Sequence, residues 1–259
     1  MSSIEVSSQL KDELKSELAL YDKLAQSYAQ NTQETKSEYT LAFRDLIELI
    51  ERFNTTGKKL NELSAMEHGC GTGQAMRYLK QRHLTNIVGC DISKSMLDYA
   101  RALDPDGVYL NVDSDRLPFD DEQFDFVLSS FVILVIHSRQ IIFKIFEEIA
   151  RTMKRHGLFV IINTTKEYYS ADRRWRFSEA HMFAENENIV SGSLIKSRQK
   201  AHDIVFEDYY WSDEDVNDWT ERAGFDLLHI HRPLGKESDG VDWLTDNHCA
   251  PIRRFVLKK

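Results

Sequence analysis

Hydrophobic positions fall at helical spacing twice near the start of the chain. Leu14, Leu18, Leu20, Leu24 and Ala25 mark Asp12 to Gln30, and Phe43, Leu46, Ile47 and Ile50 mark Leu41 to Phe53. Apolar residues three and four apart line one face of a helix, so both stretches are expected to be amphipathic helices. The turn Asn54-Thr55-Thr56-Gly57 ends the second. Short apolar runs then alternate with helical patterns. Strands are expected at Leu63 to Glu67, Asn86 to Cys90, Val108 to Val112, Phe124 to Ser129 and Leu158 to Asn163. Helices are expected at Gln74 to Gln81, Ser93 to Leu103 and Ser138 to Met153. The fifth strand is apolar on both faces, as the buried middle of a parallel sheet requires. This alternation predicts an α/β fold, a doubly wound and mostly parallel sheet with helices on both sides.

The alternation breaks between Thr164 and Trp211, where charge and aromatics dominate. Antiparallel strands are expected there near Ile189 to Lys196 and Ala201 to Tyr210. Regularity returns with a helix from Asp213 to Ala223, started by Ser212 as N-cap and stopped by Gly224. Strands at Phe225 to His231 and Ile252 to Leu257 bring the main sheet to seven. The expected layout is a helical cap over 1–57, a Rossmann-like core over 58–164, an insertion over 165–211 and the rest of the core over 212–259.

Composition narrows the partners. A formal charge of −9 over 259 residues disfavours general nucleic-acid binding, because phosphate contacts need a surplus of lysine and arginine. Cys70, Cys90 and Cys249 are odd in number and scattered, which fits apolar filler in a reducing compartment rather than a disulfide framework. Met1 to Lys15 lacks the apolar run of a signal peptide, and Phe131 to Ile136, the longest apolar stretch, is too short to span a bilayer. A soluble, cytoplasmic protein without a membrane partner is expected. No set of histidines has metal-ligand spacing, so no metal is expected.

The richest stretch in chemistry is Glu67-His68-Gly69-Cys70-Gly71-Thr72-Gly73, between a strand and a helix. Glycines there permit positive φ and close approach of a ligand to the main chain, and the helix that follows offers free N–H groups. Asp91 ends the second strand about twenty residues after the loop, where a ribose-binding carboxylate is expected. Asp113 and Ser114 follow the third strand, and Leu117-Pro118-Phe119 leads to Phe124-Asp125-Phe126-Val127-Leu128-Ser129-Ser130. The acids and Ser129 fall at the carboxyl ends of strands, where open α/β sheets bind ligands.

In this order, the segments resemble the class I S-adenosylmethionine-dependent methyltransferases, in the branch that acts on small molecules. The family's acid-x-Gly-x-Gly-x-Gly loop is matched by Glu67 to Gly73, its strand-two acid by Asp91, and its Phe-Asp-x-Val by Phe124 to Val127. Asp113 to Phe119 matches its Gly-Asp-Ala-x-x-Leu-Pro-Phe segment in part, and Tyr21-Asp22-x-x-Ala25-x-x-Tyr28 is similar to its N-terminal helix. Lys154-Arg155-His156-Gly157 keeps only part of its Lys-Pro-Gly-Gly turn.

The resemblance implies S-adenosyl-L-methionine as cofactor and S-adenosyl-L-homocysteine as product. It assigns the methionine amino group to Glu67 and the Gly69 backbone, the ribose hydroxyls to Asp91, and the adenine faces to Ile92 and Met96. Asp113 would accept the adenine amine, the Ser114 N–H would meet a ring nitrogen, and Ser129 would lie beside the sulfonium through its carbonyl. Gly71 and Gly73 complete the loop, in which Cys70 serves tight packing. Each has a plainer role open to it: Glu67 as a helix cap, Met96 as core filler, Asp113 as a solvated turn residue. Tyr28 is expected on the cofactor, and Tyr21 on the methionine carboxylate or the acceptor, unless both pack the cap onto the core. Relatives often place a histidine just after strand four; here Phe131 to Ile136 is apolar and His137 arrives late. His137 and Tyr21 are the catalytic candidates, and His181, His202, Asp203, Glu207, Tyr209 and Tyr210 are further ones.

The insertion is expected to choose the acceptor. Its aromatics, interleaved with Arg173, Arg174 and Arg176, suit a flat or anionic small molecule, or else form a small core of their own. A small-molecule acceptor, on oxygen, nitrogen or carbon, is the favoured expectation, in a monomer or homodimer. A protein or RNA acceptor, a nucleotide-dependent oxidoreductase and a cofactor binder without turnover are the alternatives.

Overall fold

The computed structural model describes Ala25 and residues 33–112, 116–201 and 204–259. The helix expected over 12–30 lies outside the described residues, except for Ala25, which is buried.

Nine strands are described: β1 (Ala65–His68), β2 (Ile87–Asp91), β3 (Val108–Asn111), β4 (Phe124–Ser130), β5 (Met153–Thr164), β6 (Leu194–Gln199), β7 (Ile204–Tyr209), β8 (Asp226–His231) and β9 (Ile252–Lys258). Seven of them form one sheet in the order β3-β2-β1-β4-β5-β9-β8. The first five run parallel, and β9 is antiparallel to both β5 and β8. From β1 the chain winds outward to β2 and β3, then crosses back to β4 on the other side. The strand order therefore reverses between β1 and β4, whose ends meet at His68 beside Ser129. A crevice opens at such a point because the following connections leave in opposite directions.

Among the described residues the helices from residue 33 onward are α1 (Gln33–Phe43), α2 (Leu46–Phe53), α3 (Gln74–Lys80), α4 (Lys94–Leu103), α5 (Arg139–Thr152) and α6 (Asp213–Arg222). Alternation along β5 divides the core between them. Leu158, Val160 and Ile162 pack on the face covered by α1 to α4, while Phe159 and Ile161 pack on the face covered by α5 and α6. Side-chain caps start three of the helices: the hydroxyls of Ser93, Ser138 and Ser212 accept from the N–H groups of Met96, Ile141 and Asp215. Gly224, at φ 93°, turns the chain out of α6 as expected.

The structure corrects the single helix expected from Leu41 to Phe53. It breaks at Asp45, which sits at φ 55°, leaving α1 and α2 at an angle. A tertiary contact decides this: Arg254 of β9, fully buried, donates from Nε to the Ala42 carbonyl (2.9 Å) and from Nη2 to the Leu41 carbonyl (2.6 Å). The break forfeits a few helical hydrogen bonds worth about 1 kcal/mol each. It allows Leu41, Phe43, Leu46, Leu49 and Ile50 all to be buried, at about 1.5–3 kcal/mol each.

Two further boundaries move. Lys154 to Gly157, expected as a turn, is the bulged start of β5: Met153 already pairs with Phe124, and His156 takes φ 66°. In the insertion, β6 and β7 form a separate antiparallel hairpin, starting later than the sequence pattern suggested. Its aromatics belong to the main core. Trp175, fully buried, donates from Nε1 to the Tyr168 carbonyl (2.7 Å), and Tyr168, Tyr169 and Phe177 pack with α1 and the sheet. Among the described residues, no helix is long and apolar enough to cross a membrane.

Candidate active site

A cavity of about 250 Å³ opens where the strand order reverses. The glycine loop forms its floor. The N–H groups of Gly69 and Cys70 both donate to the Cys90 carbonyl, at 2.8 and 3.0 Å, which ties the loop to β2. Gly69 has φ 68°, and a Cβ there would lie 2.3 Å from a Val132 methyl. Gly71 has φ 50°, and a Cβ there would meet nothing within 4 Å, because the cavity lies beside it. Gly73, the N-cap of α3 at φ 76°, does not line the cavity; a Cβ there would collide with the Tyr109 hydroxyl at 2.6 Å.

Asp91 is held at the mouth of β2 by two backbone donors, Gly71 N–H to Oδ2 and Ser93 N–H to Oδ1, both 2.8 Å. Ile92, Met96, Val112 and Leu117 give the cavity an apolar wall beside it. Glu67, at 2% exposure, accepts from the Met76 N–H at 3.1 Å, so it does cap α3 while lining the cavity. Burial pushes its carboxyl well above the usual range, the Met76 N–H opposing it and the Asp91 charge adding to it. Cys70 lines the cavity but packs under Gly89, where a Cβ would lie 2.7 Å from its sulfur. Burial, with Asp91 and Glu67 nearby, raises its thiol far above the ordinary value, so it is no thiolate nucleophile.

The Ser129 side chain is buried at 1% exposure with its Oγ 3.4 Å from His68 Nδ1, and the next residue, Ser130, lines the cavity. Alternation along β4 gives the two side chains opposite faces, and the Ser130 Oγ is buried without a hydrogen-bond partner. His137 is exposed, stands 5.7 Å from the Tyr209 ring and does not line the cavity. The 3-10 turn Ile133–Val135 carries the chain past the cavity before His137 is reached, so the structure does not place it as a base. Tyr21, Tyr28, Asp113, Ser114, His202 and Asp203 lie outside the described residues.

The rest of the cavity wall comes from residues that the motifs do not mark. α1 contributes Glu38, Tyr39 and Phe43, and the insertion contributes Tyr168, Tyr169, Phe177, Gln199, Phe206 and Asp208. Arg173, Arg174 and Arg176 are not part of the lining, and neither are His181, Glu207, Tyr209 and Tyr210. The expected pairing of insertion aromatics with arginines is therefore corrected: Tyr168, Tyr169, Phe177 and Phe206 line the cavity and the arginines do not. Period two along β7 was the signal for Phe206 and Asp208, since Glu207 points away to an ion pair with Lys196 at 3.0 Å. His68 also lines the cavity, and burial holds its imidazole down at about 4. No group of three or more potential metal ligands occurs among the described residues.

Residues 66–161, from β1 into β5, match the family described as "Methyltransferase domain". N-demethylindolmycin N-methyltransferase of Streptomyces griseus is 25% identical over 217 residues, covering 81% of this chain and 88% of its own. An uncharacterized protein of Methanocaldococcus jannaschii is 30% identical over 224 residues, covering 86% and 89%. The crystal structure of an S-adenosylmethionine-dependent methyltransferase from Mesorhizobium loti superposes with a TM-score of 0.56 at 18% identity, covering 83% and 97%. Fold, loop and strand-end acid define a nucleotide-binding α/β enzyme. The chain belongs to the class I S-adenosylmethionine-dependent methyltransferases. This assignment displaces the oxidoreductase alternative.

The residues present suit that family's cofactor. Open space beside Gly71, a carboxylate fixed at Asp91 and an unpartnered Ser130 hydroxyl are what a polar nucleoside with an apolar base would complete.

Proposed function

We propose that the protein transfers a methyl group in-line from S-adenosylmethionine to a nucleophilic atom of a small-molecule acceptor. The observation that carries this reading is the cavity that Asp91, the glycine loop and the aromatic wall of α1 and the insertion share. A concave pocket lined mostly by apolar and aromatic side chains, with a few polar groups among them, is the kind of site that takes a small molecule. The name of the Streptomyces griseus relative, with a demethylated indolmycin as acceptor, supports the same class. We assign the ribose to Asp91, the adenine to Ile92, Met96, Val112 and Leu117, and the methionine amino group to Glu67 and the Gly69 backbone. Tyr21, Tyr28, Asp113 and Ser114 keep the roles that the family resemblance gives them. When bound, the sulfonium supplies an activated methyl carbon, so the protein's share is to position the nucleophile and exclude water. A cytoplasmic setting fits the three free cysteines.

Calorimetric titration with S-adenosylhomocysteine, and with NADH as control, tests the cofactor. Binding of the former alone is expected, and no binding by folded protein refutes the proposal. The same titration carries a second expectation. Burial favours the neutral form of Glu67, and an ammonium beside it favours the carboxylate, so binding lowers the proton affinity of Glu67, protons are released where it titrates, and affinity rises with pH there. The heat should therefore differ between phosphate and Tris buffers at pH 7. Equal heats would remove Glu67 as the partner of the amino group.

A further inference from the structure

The charge of the cavity selects among acceptors. Four carboxylates line it, Glu38, Glu67, Asp91 and Asp208, and among the described residues no lysine or arginine does. His68, neutral above about pH 4, adds no positive charge. Two of the carboxylates serve the cofactor assignment, and two do not. Glu38 of α1 and Asp208 of β7 share their part of the wall with Tyr39, Tyr168, Tyr169 and Phe206. A desolvated carboxylate is stabilised by a cation, and aromatic faces attract the same cation. An anionic acceptor would meet carboxyl groups and no lysine or arginine in the lining.

Building on the methyl-transfer reading above, we propose that the acceptor is an amine on an apolar body, bound as its ammonium against Glu38, which takes the proton that frees the nitrogen to attack. One N–H bond breaks and its proton passes to the Glu38 carboxylate. The nitrogen lone pair forms a C–N bond to the methyl carbon as the S–C bond breaks, and the S–C electron pair stays on sulfur. The products are neutral S-adenosylhomocysteine and a methylated ammonium, and Glu38 returns its proton to solvent.

The phenols nearby are committed elsewhere: Tyr168 donates to Ser178 Oγ at 2.6 Å, and Tyr169 and Thr164 share a 2.8 Å hydrogen bond. Burial raises Tyr39, Tyr168 and Tyr169 above their ordinary values, so none ionises near neutrality. Glu38 is pushed up to about 7 by burial, against a long 3.5 Å hydrogen bond from Gln199 Nε2. The lining residues about it are Tyr39 on its own helix, Tyr168 before the insertion hairpin, Gln199 on β6 and Asp208 on β7, and the Arg77 cation of α3 acts on the adjacent Tyr39 from outside the lining. A carboxylate with this affinity for protons accepts one from an ammonium near pKa 10 more readily than an ordinary carboxylate does.

The test uses the full chain saturated with S-adenosylhomocysteine. It is titrated with phenethylamine, 2-phenylethanol and 3-phenylpropionate, then with hexylamine, hexanol and hexanoate. At least one amine should bind tenfold or more tightly than its matched alcohol and carboxylate. Glu38→Gln should weaken that amine by tenfold or more, the scale of losing a charged hydrogen bond, and Glu38→Asp should recover part of it. S-adenosylhomocysteine should bind the variants as it binds the wild type. With labelled cofactor, the fall of kcat/KM below pH 7 should disappear in Glu38→Gln. Amines binding no better than their matched partners, or unaltered amine binding by Glu38→Gln, would overturn the proposal while leaving methyl transfer intact. Failure of S-adenosylhomocysteine to bind would overturn methyl transfer, and this proposal with it.

Discussion

Asp125→Ala is expected to lower unfolding stability at pH 7 by about 2–4 kcal/mol without altering cofactor affinity in the protein that remains folded. Asp125 belongs to the Phe-Asp-x-Val segment that helps to define the family, yet it lies at the entrance of β4, away from the cavity lining. Its side chain is 3% exposed and meets Lys58 Nζ at 2.8 Å, Lys154 Nζ at 3.1 Å, the Ser64 N–H at 2.9 Å and the Ser64 hydroxyl at 2.7 Å. Burial alone would raise its carboxyl, but these donors outweigh it and hold the group at about 2, below the ordinary 3.8. Both lysines are about one-third exposed, so solvent screening trims the gain and places the estimate below that of a fully buried pair. The folded value lies below the unfolded one, so this increment is present above pH 4 and is lost as pH falls towards 2. Urea unfolding of wild type and Asp125→Ala at pH 7 and pH 2.5 checks it. A difference that narrows in acid supports the ionic network, and an equal difference at both values would assign the loss to packing instead.

That residue shows why the sequence speaks more clearly about the end of the site that we assign to the cofactor than about the end that we assign to the acceptor. The glycine loop and Asp91 were legible because backbone geometry and hydrogen bonding dictate them locally: positive φ at Gly69 and Gly71, and a carboxylate at the end of a strand. The strands were legible because helices separate β1 from β2, β2 from β3 and β4 from β5, and because β5 is apolar on both faces. A motif does not say what its residue does, however. Glu67 and Asp125 are both acids in matched segments, but one lines the cavity and the other locks the far end of the sheet. Ser129 and Ser130 differ by one position on a strand of period two, and only the second turns its side chain to the cavity. Glu38 lies in α1, between the two helices that the apolar pattern marked. Its place depends on the break at Asp45 and on Arg254 of β9, more than two hundred residues away. Contacts at that separation leave no local trace in hydropathy. The insertion's aromatics were visible as a group, but which of them reach the cavity follows from the fold alone.

Asp91→Ala is expected to weaken S-adenosylhomocysteine binding by about 1–3 kcal/mol, roughly ten- to a hundredfold. The carboxylate does two jobs. It offers acceptor capacity towards the cavity, which suits a pair of vicinal hydroxyls, and it receives the Gly71 and Ser93 N–H groups that fix the loop against β2. Alanine removes both, whereas Asp91→Asn keeps the shape and one acceptor oxygen, so the asparagine variant should lose less. The two contributions separate in the thermodynamics. If ribose contact dominates, affinity falls while the melting temperature of the ligand-free protein hardly moves. If loop fixation dominates, the ligand-free protein melts earlier and hydrogen exchange at Gly71 quickens, because its N–H has lost its partner. Either pattern keeps Asp91 in the site. Affinity equal to wild type in a folded Asp91→Ala protein would remove it, and with it the assignment of that end of the cavity to the ribose.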